Sequence, residues 1–452
     1  MIKAFLHGTI VSMNGKKEIF RDAGILWEDD RIIALGAAKL IEKQAHALQA
    51  EVENFHGKVM FPGLVNTHAH LFQSLLKGIG PDRAMEDWWT ASIGRYAPYM
   101  TEEDLKAAAL AGMMEAIRSG TTTLLDYAYV HPVKQASDVI IDSAKELKMR
   151  LVFGRGFNVS SLFVPALLRE PLDVVFADAL RLREKLVGSE VDLWLAPAVN
   201  WCMNPEELFR LGAFCRKERF PVTMHLMETN SDQQIWHEEY GRDLWKDLQD
   251  SGLLDERFLA VHFVQVDDQD IQRLADCGAS VSHNALSNMI LASGICPLSS
   301  LRDHHIPISL GTDGAASNNT LNMLETLKVT ALLQKVAHRT PDIVSAMEVL
   351  DMATMGGARA LGKEKDIGSL EVGKKADFFL LDPLSTLTTV PMHDPVATLV
   401  YSSGPEAISD VYIGGIAIIK QHQFLGMDEK NIIETADRCA KALIGRAGGY
   451  HD

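Results

Sequence analysis

The sequence predicts a (β/α)8 TIM barrel that carries a small β-sandwich built from both chain ends. Three observations lead there. Between residues 58 and 365, short apolar runs alternate with helical patterns at 102–118, 139–147, 174–186 and 321–337, as βα units of a parallel sheet require. Four of those runs end in a residue able to bind a metal or move a proton: His68 with His70, His225, His262 and Asp313. A barrel of this class keeps its active site at the C-terminal ends of its strands. The flanks, 1–57 and 366–426, read as strands separated by Gly and Asn-Gly turns.

Residues 1–57 place strands at 5–13, 23–27 and 31–35, and no helix of useful length is expected among them. After 365, a turn-rich stretch leads into Phe378 to Asp382, and 410–420 forms another pair of strands around Gly414-Gly415. Sheets this short would expose edges and unburied faces if separate, so the two ends are expected to pack together. Residues 427–452 are assigned to a C-terminal helix, the pattern itself running to about 446. Glu102-Glu103-Asp104 after Thr101 reads as a helix N-terminus, where negative charge is favoured. Asp126, ending the second barrel strand, reads as structural.

Composition narrows the function. A length of 452 residues and 47% hydrophobic content allow a large core, while a net charge of −16 disfavours nucleic acid and anionic membrane as partners. A small molecule in a pocket is expected. No signal-like segment opens the sequence and no apolar run reaches about 18 residues, so a cytoplasmic protein is expected. The five cysteines are widely spaced and odd in number, and read as reduced thiols of the core. His237, His304, His305 and His338 lie in polar stretches and read as surface residues.

Pro62 to His70 is an apolar run ending in two histidines at i and i+2, which on a strand share a face. With 16 histidines in the chain, chance supplies His-x-His about half the time, so partners must confirm it. Imidazoles and a carboxylate from the other strand ends do so: three imidazoles, one carboxylate and an open position for water fit a catalytic divalent cation, zinc or iron. Spacing does not separate the histidines that ligate from one that only neighbours the cation. Such a metal generates hydroxide near neutral pH. Glu228, three residues after His225, is placed as a proton shuttle. The strand 191–197 contains no lysine to bridge a second metal, which favours one metal.

The chain resembles the amidohydrolase superfamily, in particular its mononuclear branch of cytosine and guanine deaminases, S-adenosylhomocysteine and methylthioadenosine deaminases, and triazine hydrolases. The resemblance spans nearly the whole chain. Pro62 to His70, His225-Leu226-Met227-Glu228-Thr229, Val261-His262, Ser282 to Asn288 and Leu310 to Asn319 carry it. It implies one divalent metal per subunit on His68, His70, His225 and Asp313. It also implies that His262 orients the attacking water, that Asp313 takes a proton from it, and that Glu228 delivers a proton to a ring nitrogen as ammonia leaves. A homo-oligomer is implied by the same analogy.

Gln73, Trp88, Trp89, His283 and Ser317 are candidate substrate-binding residues. Adenosine-thioether deaminases are expected to carry a ribose-binding glutamate where this chain has Ala97, and a histidine where it has Ala198. Those departures favour a free base or base-like ring, such as a purine, pterin or aminotriazine. The alternatives are a nucleoside deaminase of the S-adenosylhomocysteine/methylthioadenosine type, a triazine-type chlorohydrolase, and a metal-binding protein without catalysis. The last is disfavoured because the reactive set is complete.

Overall fold

A computed structural model describes residues 1–160 and 162–449. Eight strands, Leu64–Ala69, Thr121–Ala128, Arg150–Phe157, Asp192–Pro197, Val222–Leu226, Phe258–His262, Ser280–His283 and Ile308–Leu310, lie side by side in chain order. Every neighbouring pair is parallel. Almost all their residues are buried, because helices cover the outer face and side chains fill the inner one.

Side chains help to close the seam between the first and eighth strands. The Thr67 hydroxyl lies 2.8 Å from the Ser282 and Ser309 hydroxyls and donates to the Leu310 carbonyl at 3.0 Å. The Asn66 amide donates to Thr312 Oγ1 at 2.8 Å, and the Asp313 N–H donates to the His68 carbonyl at 2.9 Å. The last contact ties the ends of the first and eighth strands.

The chain ends meet in a second, nine-stranded sheet, mostly antiparallel. It is one continuous hydrogen-bonded sheet. Ile2–Val11, Ile19–Glu28, Arg31–Ala37 and Glu51–Asn54 come from the N-terminal end, and Phe378–Leu381, Ile408–Ile413, Ile416–Lys420 and Gln423–Phe424 from the C-terminal end. Val59–Pro62 joins them, pairing with Ile2–Val11 on one side and Phe378–Leu381 on the other. Trp27 and Phe378 lie three strand positions apart, about 14 Å in a flat sheet. Their ring centroids are 5.5 Å apart, so the sheet curls over its own core of Phe5, Trp27, Phe378 and Tyr412.

Val59–Pro62 passes directly into the first barrel strand through Gly63. A Cβ there would lie 2.0 Å from the Thr122 hydroxyl oxygen, so glycine leaves the space that the Thr122 side chain fills. The sheet therefore claims residues beyond 57, and the register of the first barrel strand is set at this corner.

Ala38–Ala47 is a helix, contrary to the expectation of none in 1–57. Ala38, Ile41 and Ala45 are buried along it, one helical face at i, i+3 and i+7 that the reading of 1–57 as strands passed over, and Ile41 and Ala45 pack on Leu6 and Leu26 of the sheet. Thr101 and Asp104 form a reciprocal capping box at the start of Glu102–Arg118. The C-terminal helix, Glu429–Arg446, packs along it. Arg118 grips Glu429 with two hydrogen bonds of 3.0 and 2.6 Å, and Arg446 pairs with Asp104. Residues 450–452 of the assigned helix lie outside the described residues. All five cysteines are free, and no helix among the described residues is long and apolar enough to cross a membrane.

Candidate metal and active site

His68 and His70 point to one place, with ring centroids 4.6 Å apart. His225 brings its Nε2 to 3.3 Å from the Nε2 of His68. Asp313 Oδ1 lies 3.2 Å from Nε2 of both His68 and His70. Ligand atoms of His68, His225, His262 and Asp313 all fall within 4.8 Å of one another, so five donors from four strand ends surround one point. Met227, His262, Phe263 and Asp313 have φ of 53°, 72°, 50° and 63°. Non-glycine residues rarely adopt this conformation, and here it turns the chain sharply where side chains must aim inward.

Hydrogen bonds on the far ring nitrogens set the imidazoles. His70 Nδ1 donates to the Tyr127 carbonyl at 2.7 Å, and His225 Nδ1 donates to the Ala198 carbonyl. A carbonyl only accepts, so both rings carry the proton on Nδ1 and turn an Nε2 lone pair into the site. Burial holds His68 down to about 3 and His225 well below the ordinary imidazole value, so both are neutral. Burial opposes ionisation of Asp313, but the neighbouring His68 and His70 outweigh it and hold the carboxyl well below its usual range. Gly314 N–H and the Ser317 hydroxyl donate to its two oxygens at 2.7 and 2.9 Å. Neutral imidazole lone pairs beside an ionised carboxylate are a donor set that a divalent cation satisfies.

His262 and Glu228 form the next layer. His262 Nδ1 lies 2.7 Å from Asn288 Oδ1, and its Nε2 is 3.4 Å from Glu228 Oε2. Glu228 accepts from the Ser293 hydroxyl at 3.0 Å, and its own N–H donates to Asp232 Oδ2 at 3.0 Å. Burial raises the pKa of Glu228 above the ordinary carboxylate value.

These groups face a cavity of about 680 Å3, its mouth included, walled largely by aromatic and aliphatic side chains. Gln73, Trp88 and Trp89 line it as expected. Both indoles are also tethered, Trp88 to the Ala316 carbonyl at 3.0 Å and Trp89 to the Phe163 carbonyl at 3.1 Å. His283 and Ser317 do not line it. His283 is fully buried with both ring nitrogens unpartnered among the described residues, and Ser317 is spent on Asp313. Ala198 lines the cavity, whereas Ala97 is fully buried away from it. Asp126 accepts the Leu71 N–H at 2.9 Å and pins the turn after His70.

Sequence reasoning missed Tyr129, Asn158, Trp201 and Asp232, all in the cavity wall. Tyr129 was within reach: Tyr127 and Tyr129 repeat the i, i+2 spacing of His68 and His70 at the end of the next strand. Asp232 gave no signal, since only the turn after Glu228 brings it back.

Residues 59–418 match the amidohydrolase family. The chain belongs to that family. A 5-methylthioadenosine/S-adenosylhomocysteine deaminase of Shouchella clausii is 32% identical over 438 residues, covering 96% of this chain and 98% of that protein. A 5'-deoxyadenosine deaminase of Methanosarcina barkeri is 32% identical over 439 residues, 97% of each. Among solved structures, an adenosine deaminase from Xanthomonas campestris with bound zinc superposes with a TM-score of 0.88 at 27% identity, over 98% of both chains.

Proposed function

We propose that this chain is a metal-dependent hydrolytic deaminase of an uncharged adenosine-type nucleoside. The observation that carries the reading is the convergence of His68, His70, His225 and Asp313 on one point beside Glu228, with the His70 and His225 lone pairs turned inward, at an aromatic-walled cavity. His68, His70, His225 and Asp313 hold one divalent cation per subunit, zinc by its preference for such nitrogen and oxygen donors. The cation supplies Lewis-acid activation of the attacking water. His262, held by Asn288, orients that water. Asp313 takes a proton from it and Glu228 delivers a proton to the ring nitrogen beside the amino-bearing carbon as a C–O bond forms; Asp313 then passes its proton to the amino group, the new hydroxyl returns a proton to Glu228, the C–N bond breaks, and ammonia leaves.

The free-base expectation rested on Ala97 and Ala198 and on the likeness of Gln73 and Trp88 to the triazine hydrolases. Ala97 does not reach the cavity, so it says nothing about a sugar, and the Shouchella and Methanosarcina relatives are nucleoside deaminases. No Lys or Arg lines the cavity among the described residues, leaving the carboxylate of an amino-acid tail without a partner. Neutral 5' ends are therefore favoured.

The test is ammonia release by zinc-loaded enzyme from adenine, adenosine, 5'-deoxyadenosine, 5'-methylthioadenosine, S-adenosylhomocysteine and an aminotriazine. The highest kcat/KM is expected for a neutral nucleoside. A higher value for a free base or for S-adenosylhomocysteine overturns the substrate assignment.

A further inference from the structure

Gln73 and Tyr129 decide where one proton in the cavity points. The side-chain oxygen of Gln73 accepts the Ala316 N–H at 3.2 Å, and its amide nitrogen lies 3.0 Å from the Tyr129 hydroxyl. The amide cannot be turned over, because its NH2 would then face a backbone N–H. Nor does it have room to move: a Cβ on Gly314 would lie 1.8 Å from the Gln73 oxygen, so the amide sits flat on that glycine. Gln73 therefore donates and the Tyr129 oxygen accepts. The proton of Tyr129 is left over, and among the described residues the hydroxyl has no acceptor for it.

Tyr129 lines the cavity with Glu228 and Asp313, and its ring stands edge-on to His70 at 4.7 Å. Burial keeps the phenol protonated. Tyr129 follows the second barrel strand and Glu228 the fifth, three positions around the ring of eight, so the two address different edges of anything held between them.

We propose that Tyr129, oriented by Gln73, donates a hydrogen bond to a second ring nitrogen of the substrate, other than the one Glu228 protonates. This rests on the deaminase reading. Tyr129 selects rings with a lone pair at that edge, and Gln73 is a positioning residue.

The probes are adenosine, 3-deazaadenosine and 7-deazaadenosine, which keep the nitrogen beside the amino-bearing carbon and differ in the other acceptors. Wild-type zinc enzyme should prefer adenosine to one of the two analogues by roughly 10- to 100-fold in kcat/KM, the effect of one lost hydrogen bond to a buried donor. Tyr129→Phe should erase that preference by losing activity on adenosine and not on that analogue. Gln73→Glu should erase it too, although the phenol remains, because a carboxylate accepts both the Ala316 N–H and the Tyr129 proton. An equal loss on all three nucleosides in Tyr129→Phe, or no change, overturns the proposal. If the wild type releases ammonia from none of them, the deaminase reading fails, and calorimetric binding of the same three compounds judges the donor. A preference for adenosine over one analogue that vanishes in Tyr129→Phe upholds it, and equal binding or no binding overturns it.

Discussion

Nε2 of His225 stands 3.3 Å from Nε2 of His68, and the His225 ring is held there by a hydrogen bond from its other nitrogen to the Ala198 carbonyl. His225 turns a lone pair towards His68, and a divalent cation between the two rings would take a lone pair from each. The consequence is a metal site whose geometry is set in advance by backbone carbonyls from the neighbouring strands.

Metal content tests that consequence. Purified protein should bind close to one equivalent of divalent metal, and His225→Ala should lose it together with activity. Two tightly held equivalents, or full occupancy in the variant, would sink the site.

His262 lies close enough to be counted a ligand, yet its Nδ1 is engaged by Asn288 and its Nε2 faces Glu228. His262→Asn should keep about one equivalent of metal while kcat falls on the order of 10²-fold or more. Loss of the metal would make His262 a ligand instead.

Glu228 touches none of the proposed metal-binding atoms of His68, His70, His225 and Asp313. Glu228→Gln should keep fold and metal and lose on the order of 10²–10⁴ in kcat. A variant retaining more than about a tenth of wild-type kcat would remove Glu228 from proton transfer.

Asp232 adds a pH dependence. Burial, with the nearby Glu228 charge, raises it from 3.8 to about 7. Between those values the folded chain binds a proton that the unfolded chain releases, so this contribution to stability is complete below about pH 4 and is lost as pH rises towards 7. Asp232→Asn cannot ionise and retains an oxygen for the Glu228 N–H. Its Tm relative to wild type should rise from pH 4 to 7 and then level off, a gain of at most about 4 kcal/mol. A difference that stays constant with pH would show that Asp232 does not titrate in this range.

Gly63 tests the corner between sheet and barrel. Gly63→Ala places a methyl against Thr122 and should cost about 1–3 kcal/mol in denaturant melts. Adding Thr122→Ala should recover part of that loss. Additive losses in the double variant would mean that the contact is not the cause.

The barrel, the four reactive strand ends and Glu228 were legible in the amino-acid order because buried parallel strands are short apolar runs, and residues just beyond the end of such a run lie at the barrel's catalytic face. The Thr101 cap was legible for a similar local reason. Tertiary structure alone decided the rest. Whether Gln73 or His283 reaches the cavity depends on where neighbouring backbones leave space, and Gly314 leaves it for Gln73 while His283 is enclosed. Ala97 stood at a suggestive position in the sequence and proved to be packed in the core. The curl that brings Trp27 onto Phe378, and the meeting of Asp232 with Glu228 and of Tyr129 with Gln73, arise from contacts between segments whose own periodicity carries no trace of their partners.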